Sequence, residues 1–148
     1  MKTALTVIIF DRDANLKTWC RAWELSAPRF PDVEFRVICN NPEKYSMYKA
    51  QVEAVGGVFI PRANQGFDIG ALQDIARGRL AGFEPYDLLL WCVDDLLPVH
   101  PDFIGAFLNA RNGPAEIPVF EMSLNPVRHV RTTGLLMPKE FVEQLEFR

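Results

Sequence analysis

With 148 residues, 49% of them hydrophobic and 24% charged, the chain has the composition of a folded globular protein rather than a disordered one, and can bury a sizeable core. A net charge of -3 argues against a general nucleic-acid binder, which depends on a basic face, so a small-molecule partner is expected. The longest apolar runs, Ala4 to Phe10 and Leu88 to Val93, are far shorter than a bilayer span, and the opening residues lead into a strand rather than a secretory leader; one cytoplasmic domain over residues 1–148, with no transmembrane segment, is the expectation.

Ala4 to Phe10 is apolar and β-branched, which predicts a strand covered on both faces in a parallel sheet. It stops at Asp11-Arg12-Asp13, where Asp13 is expected to cap a helix from about Asn15 to Ser26 with Leu16, Trp19, Cys20 and Trp23 on one stripe. Val33 to Cys39 predicts a second strand, ending at Asn40-Asn41-Pro42, and a helix from about Glu43 to Val55 runs to the stop signal Gly56-Gly57. Val58 to Ile60 is a short third strand, followed by a loop from Pro61 to Gly66 and a helix from Ile69 to Leu80 capped by Asp68. Tyr86 to Val93 predicts the fourth strand, and a helix from about Pro101 to Ala110 has proline in its first turn. Ile117 to Leu124 and Arg131 to Met137 read as two further strands, and Lys139 to Phe147 as a closing helix. The three cysteines, Cys20, Cys39 and Cys92, are widely spaced in apolar surroundings, the pattern of buried thiols rather than of a disulfide framework or zinc site.

This alternation predicts an α/β fold, a three-layer sandwich with a mainly parallel central sheet, and in such sheets ligands bind beyond the carboxyl ends of the strands. Those ends carry Asp11-Arg12-Asp13, Asn40-Asn41, the loop from Pro61 to Asp68, and Asp94-Asp95. Adjacent carboxylates after a buried strand repel one another unless donors or a cation neutralise them. Mg²⁺ or Mn²⁺ answers that requirement, because a hard cation is commonly held by one or two carboxylates together with substrate phosphates and water. The alternative is that Asp94 caps the following loop while Asp95 faces solvent.

In Asn64-Gln65-Gly66-Phe67-Asp68-Ile69-Gly70, Gly66 permits a positive φ, and Gly70 is an unusual choice for a helical first turn. Close approach of a ligand to the Gly70 backbone and tight helix-sheet packing both account for it. Asn40 and Asn41 have amides suited to a nucleobase edge, or to turn chemistry. His129, between Arg128 and Val130, is either a metal or diphosphate contact or part of a solvated basic turn. The sequence contains no P-loop, no G-x-G-x-x-G after its first strand, no nucleophile elbow and no H-E-x-x-H, which disfavours P-loop phosphotransfer, dinucleotide redox chemistry, α/β-hydrolase and zinc-protease activity.

Four pieces, "TVIIFDR", "NQGFDIGALQDIARG", "YDLLLWCVDDLLPVHPDFIGAFL" and "HVRTTGLLMPKEFVEQL", occur in an order that resembles the nucleotide-sugar-binding half of GT-A glycosyltransferases, particularly family 2 and rhamnosyltransferase-like members. The resemblance implies a Rossmann-like nucleotide-diphospho-sugar transferase fold and a D-x-D-D-x-x-P metal motif. With its proline on Pro98, the metal-binding aspartates fall on Asp94 and Asp95, and the motif's first aspartate falls on Cys92. It further implies that Phe10, Asp11 and Arg12 lie near the nucleoside, with Asn40 or Asn41 at the base edge. Asn64, Gly66 and Asp68 would lie near the diphosphate and ribose, assisted by the charge of Arg62. His129 would be a third metal ligand or a diphosphate contact. The catalytic base usual in such enzymes has no clear counterpart, Glu121 being a weak substitute.

The resulting expectation is a glycosyltransferase-like protein that binds a nucleotide-sugar through Mg²⁺ or Mn²⁺ and transfers the sugar to an acceptor hydroxyl, acting alone, as a homo-oligomer or with a partner chain. A non-catalytic donor-binding module and another metal-dependent phosphoryl-binding α/β enzyme, such as a nucleotidyltransferase or phosphatase, are the alternatives.

Overall fold

The structure, a computed structural model, describes residues 1–100, 102–110, 122–123, 129–130 and 134–146, with backbone alone for 122–123 and 129–130. Strands and helices alternate as β1 (Thr3–Ile9), α1 (Asp13–Ser26), β2 (Val33–Cys39), α2 (Tyr45–Ala54), β3 (Val58–Pro61), α3 (Phe67–Ala76), β4 (Leu88–Val93) and α4 (Phe103–Ala110). The two-residue strands β5 (Met122–Ser123) and β6 (His129–Val130) pair antiparallel, and β7 (Gly134–Pro138) leads directly into α5 (Lys139–Glu143).

The central sheet has the order β3-β2-β1-β4-β7, with the first four strands parallel and β7 antiparallel to β4. The chain steps outward from β1 to β3 and then returns to the other side of β1 for β4. The carboxyl ends of β1 and β4 therefore flank a topological switch point, where open α/β sheets leave a crevice.

Burial on both faces explains why the strands read as mainly apolar runs, Thr3 and Thr6 of β1 and Glu34 and Arg36 of β2 being the polar exceptions. Leu5, Val7 and Ile9 of β1 join Phe35 and Val37 of β2 and Leu90 and Cys92 of β4 in a cluster covered by Leu16, Trp19 and Trp23 of α1, Tyr48 and Val52 of α2, and Ile104 of α4. On the opposite face Ala4, Ile8, Ile38, Leu89 and Trp91 pack against Ala71, Leu72 and Ile75 of α3 and Val142 of α5. Each fully buried valine, leucine, isoleucine or phenylalanine among them contributes about 1.5–3 kcal/mol of transfer free energy. Cys20, Cys39 and Cys92 are all free and buried, as their apolar settings predicted.

Several boundaries differ from the sequence reading. Asp13 is the first residue of α1 rather than its cap; Arg12 occupies the cap position without a side-chain capping bond, and the Asp13 carboxylate instead accepts from the Tyr48 hydroxyl and from Lys44 Nζ at 3.0 Å. Residues Pro42–Lys44 form a 3-10 turn ahead of α2, because Asn41 Oδ1 accepts from the Glu43 N–H at 3.2 Å and fixes the chain there. Asp68 is likewise inside the first turn of α3, whose cap is Gly66. That helix ends at Ala76 rather than Leu80, two residues before Gly78 takes a φ of +61°. Ladder pairing of β4 begins at Leu88, since Asp87 N–H and Leu88 N–H both donate to the Lys2 carbonyl, at 2.9 and 3.2 Å. Of the expected strand from Ile117 to Leu124 only Met122–Ser123 is described; β7 is described from Gly134 to Pro138, residues 131–133 of the expected strand lying outside the described residues, and α5 stops at Glu143. Pro101, Arg131 and Phe147 lie outside the described residues. Among the described residues no helix is long and apolar enough to cross a membrane.

Candidate functional site

Register brings the carboxyl ends of the parallel strands level. Ile9 pairs with Cys39 and Cys39 with Pro61, while Ile8 pairs with Val93, so Phe10, Asn40, Arg62 and Asp94 leave the sheet along one edge. Backbone bonds extend this alignment one residue further, from Asn40 N–H to the Ile9 carbonyl at 3.0 Å and from Arg62 N–H to the Cys39 carbonyl at 2.9 Å.

Above this edge opens a cleft of about 470 Å³, within the size range of small-molecule sites. Six of the residues singled out in the sequence line it: Phe10, Asn40, Asn64, Asp68, Asp94 and Asp95. Ile8, Ile9 and Val93 add apolar surface, and Phe67 completes the wall on the α3 side. The cleft thus combines carboxylates, amides and aromatic rings at the switch point of the sheet.

Asp94 is half-buried, and its Oδ2 accepts a long hydrogen bond of 3.4 Å from the Phe10 N–H. Its backbone carbonyl accepts from Asn15 Nδ2 at 2.8 Å, which ties the β4 end to α1. Desolvation holds the Asp94 carboxyl above the ordinary carboxylate range; the Phe10 N–H opposes this, the neighbouring Asp95 and Asp11 charges reinforce it, and Arg12 offsets them. Asp95 is exposed and engaged with Arg12 Nη2 at 3.4 Å. The doubled aspartate therefore splits into one carboxylate turned into a partly dry cleft and one paired at the surface.

A divalent cation fits this donor set. Asp94 is a poorly solvated carboxylate whose charge is weakly compensated, and Asp95 lies next to it in the lining. Among the described residues no group of three or more His, Cys, Asp or Glu is placed to hold a metal. One or two carboxylates suit Mg²⁺ or Mn²⁺ when phosphate and water fill the remaining positions. Cys92, at the position of the motif's first aspartate, is 1% exposed within the α1 face of the core and does not add a ligand.

Other residues proposed from the sequence have different surroundings. Both asparagines are buried; the Asn41 side chain is used in the turn before α2, while Asn40 lines the cleft, its Nδ2 donating to the Phe67 carbonyl at 3.4 Å and its Oδ1 accepting from Arg62 Nη1 at 3.5 Å. The Arg62 side chain is only 7% exposed and pairs with Asp74, with Nε and Nη2 each 2.9 Å from Oδ2. Its remaining bonds reach the Ala63 carbonyl at 3.0 Å, the Gln65 carbonyl at 2.7 Å and, more weakly, Asn40 Oδ1 at 3.5 Å, so its charge is taken up within the protein and Arg62 itself does not line the cleft. Gly70 is buried, and a Cβ there would lie 2.0 Å from the Gln65 carbonyl oxygen and 2.9 Å from Arg62 Nη2. The close approach at Gly70 comes from the chain's own loop, so of the two explanations tight packing accounts for this glycine. Gly66 does take the left-handed conformation, with φ +69°. Asp11 and Arg12 are exposed on the loop after β1, at the rim. His129 lies in β6 with its side chain undescribed, and Glu121 falls outside the described residues.

Sequence reasoning missed Phe67. Its signal was an aromatic residue between a loop glycine and an acidic helix start, which has no periodicity to expose it; the structure shows a ring 72% exposed at the cleft wall.

No family model matches the chain, and no curated protein matches it. Solved structures do. Glucosyl-3-phosphoglycerate synthase from Mycobacterium tuberculosis in complex with UDP superposes with a TM-score of 0.61 at 10% identity, over 94% of this chain and 57% of that one. The same enzyme with Mn²⁺ and UDP-glucose gives 0.52 at 12% identity, over 74% and 38%. The apo form of the glycosyltransferase GlyE in Streptococcus pneumoniae gives 0.55 at 14% identity, over 97% and 35%. The chain thus has a GT-A-like glycosyltransferase fold and spans between about a third and just over half of the length of these proteins.

Proposed function

We propose that the cleft at the carboxyl ends of β1, β2 and β4 is a nucleotide-sugar donor site, and that residues 1–148 form the donor-binding domain of a glycosyltransferase related to family 2 and rhamnosyltransferase-like enzymes. One observation carries the reading: Asp94, with its carboxyl held above the ordinary range by desolvation, shares a cleft with Asn40, Asn64 and Asp68 at the switch point of the sheet. The fold adds support, since a neighbour with it has been solved with Mn²⁺ and UDP-glucose.

In this reading Asp94 is the principal protein ligand of Mg²⁺ or Mn²⁺, and Asp95 assists when it releases Arg12. The cation supplies Lewis-acid stabilisation of the charge that develops on a leaving diphosphate. Asn40 stands at the base end of the cleft, where its amide, bonded to the Phe67 carbonyl and to Arg62 Nη1, orders the wall, and Asp68 and Asn64 face the ribose and diphosphate from the α3 side. Transfer to an acceptor hydroxyl requires a group that removes its proton. A non-catalytic donor-binding module is the second reading, favoured by the burial of Cys92 where the motif has its first aspartate.

A thermal-shift panel of UDP-, GDP-, dTDP- and CMP-sugars, each with Mn²⁺ and with EDTA, tests the donor site, because a ligand bound only by the folded state raises Tm by mass action. The reading predicts a shift with one nucleotide that EDTA removes. No shift with any of them contradicts it. Donor turnover in the presence of candidate acceptor alcohols then separates the enzyme from the binding module.

A further inference from the structure

Phe67 combines two unusual properties at one position. It has a φ of +52°, the only positive φ at a non-glycine among the described residues, and its ring is 72% exposed. A bulky residue in the left-handed region is costly and persists only where its surroundings over-determine it, and such strain clusters at ligand sites. Exposure of a large ring adds no compensating burial. Nothing in core packing explains why phenylalanine, rather than glycine or asparagine, stands here.

The surroundings do hold the backbone firmly. Arg62, anchored on Asp74, donates to the Gln65 carbonyl at 2.7 Å, and the missing side chain of Gly70 lets that carbonyl sit against α3. Gly70 N–H donates to the Gly66 carbonyl at 2.7 Å, and Asn40 Nδ2 reaches the Phe67 carbonyl at 3.4 Å. Arg62, Gly70 and Asn40 thus brace the loop that presents Phe67 on the wall of the cleft that Asp94 and Asp95 also line.

We propose that Phe67 is a stacking residue for a flat ring, the nucleobase of the ligand. This rests on the donor-site reading above and adds the residue on which the base lies. Phe10, 44% exposed on the same cleft, supplies a second ring near the β1 end. The inference explains why strain and exposure are tolerated together: the ring face is left bare for a planar partner.

The test is F67G, with F67Y as the conservative control. Glycine relieves the left-handed strain, so F67G should melt no lower than the native protein. Its affinity for the nucleoside diphosphate that binds the native protein, tried as UDP, GDP, dTDP and CDP with Mn²⁺, should fall about tenfold or more, the usual scale of base-aromatic stacking. Affinity for inorganic pyrophosphate with Mn²⁺ should be unchanged, and F67Y should retain nucleotide binding. Unchanged nucleotide affinity in F67G, or equal losses for nucleotide and pyrophosphate, overturns the proposal. A loss seen only with UDP-glucose and not with UDP puts the ring under the sugar and overturns the base assignment. If the native protein binds none of these nucleotides, the donor-site reading falls as well.

Discussion

Gly70 and Gln65 approach so closely that a Cβ on Gly70 would stand 2.0 Å from the Gln65 carbonyl oxygen. No real side chain tolerates that separation, so this glycine is required by the packing of the loop against α3. The same carbonyl accepts from Arg62, which makes one oxygen the junction between loop, helix and buried arginine.

Gly70→Ala should therefore destabilise the fold by about 1–3 kcal/mol, the usual cost of overpacking, and Gly70→Val by more. Chemical denaturation gives the value. Native stability in Gly70→Ala would show that Gln65 moves freely and that the loop is not braced.

Arg62 is predicted to be structural rather than ligand-binding. Removing one partner of a buried ion pair typically costs about 3–5 kcal/mol; Asp74 is 28% exposed on its side chain, so Arg62→Met should fall at or below the lower end of that range. Urea unfolding tests the stability. A stable Arg62→Met protein that has lost only diphosphate affinity would return the guanidinium to the ligand site.

How far the sequence carried the fold is visible at β2, where Val33–Cys39 is predicted with the bounds observed, because Val33, Phe35, Val37, Ile38 and Cys39 outweigh Glu34 and Arg36 and Asn40-Asn41-Pro42 marks the end. The level edge of strand ends followed from the alternation alone. Side-chain polarity, by contrast, says that a residue can bind something but not whether its partner lies in a ligand or in the protein. Arg62 found Asp74, Asn41 found the Glu43 N–H, and Asp13 found Tyr48 and Lys44, none of which sequence spacing reveals. Phe67 escaped because neither strain nor exposure is written in periodicity.

The contact between Asp13 and Tyr48 predicts a pH dependence. The Tyr48 hydroxyl bond, then Lys44, hold the Asp13 carboxyl below its ordinary value of 3.8, while burial and the bond to Asp13 push the Tyr48 hydroxyl up. A carboxyl whose pKa is lower folded than unfolded contributes stability above the unfolded value and loses it as pH falls through the folded one. Tyr48→Phe should lower Tm at neutral pH, and the difference from the native protein should shrink below the ordinary Asp13 value. A Tm deficit independent of pH would mean that the hydroxyl acts through packing alone.

Removal of the Asp94 charge is predicted to leave the fold intact. Desolvation disfavours its ionised form, so Asp94→Asn should melt no lower than the native protein at neutral pH. Loss of folding in this variant would assign Asp94 to the loop rather than to the cleft.

The most direct test is electron paramagnetic resonance of Mn²⁺ titrated with native protein and nucleoside diphosphate, against Asp94→Asn under the same conditions. The account predicts that the free-ion signal falls well beyond the loss produced by the nucleotide alone when native protein is added, and that Asp94→Asn abolishes this further loss. Equal binding of Mn²⁺ by the native protein and the variant would contradict the account, because the carboxylate at the end of β4 would then not be the residue that holds the cation.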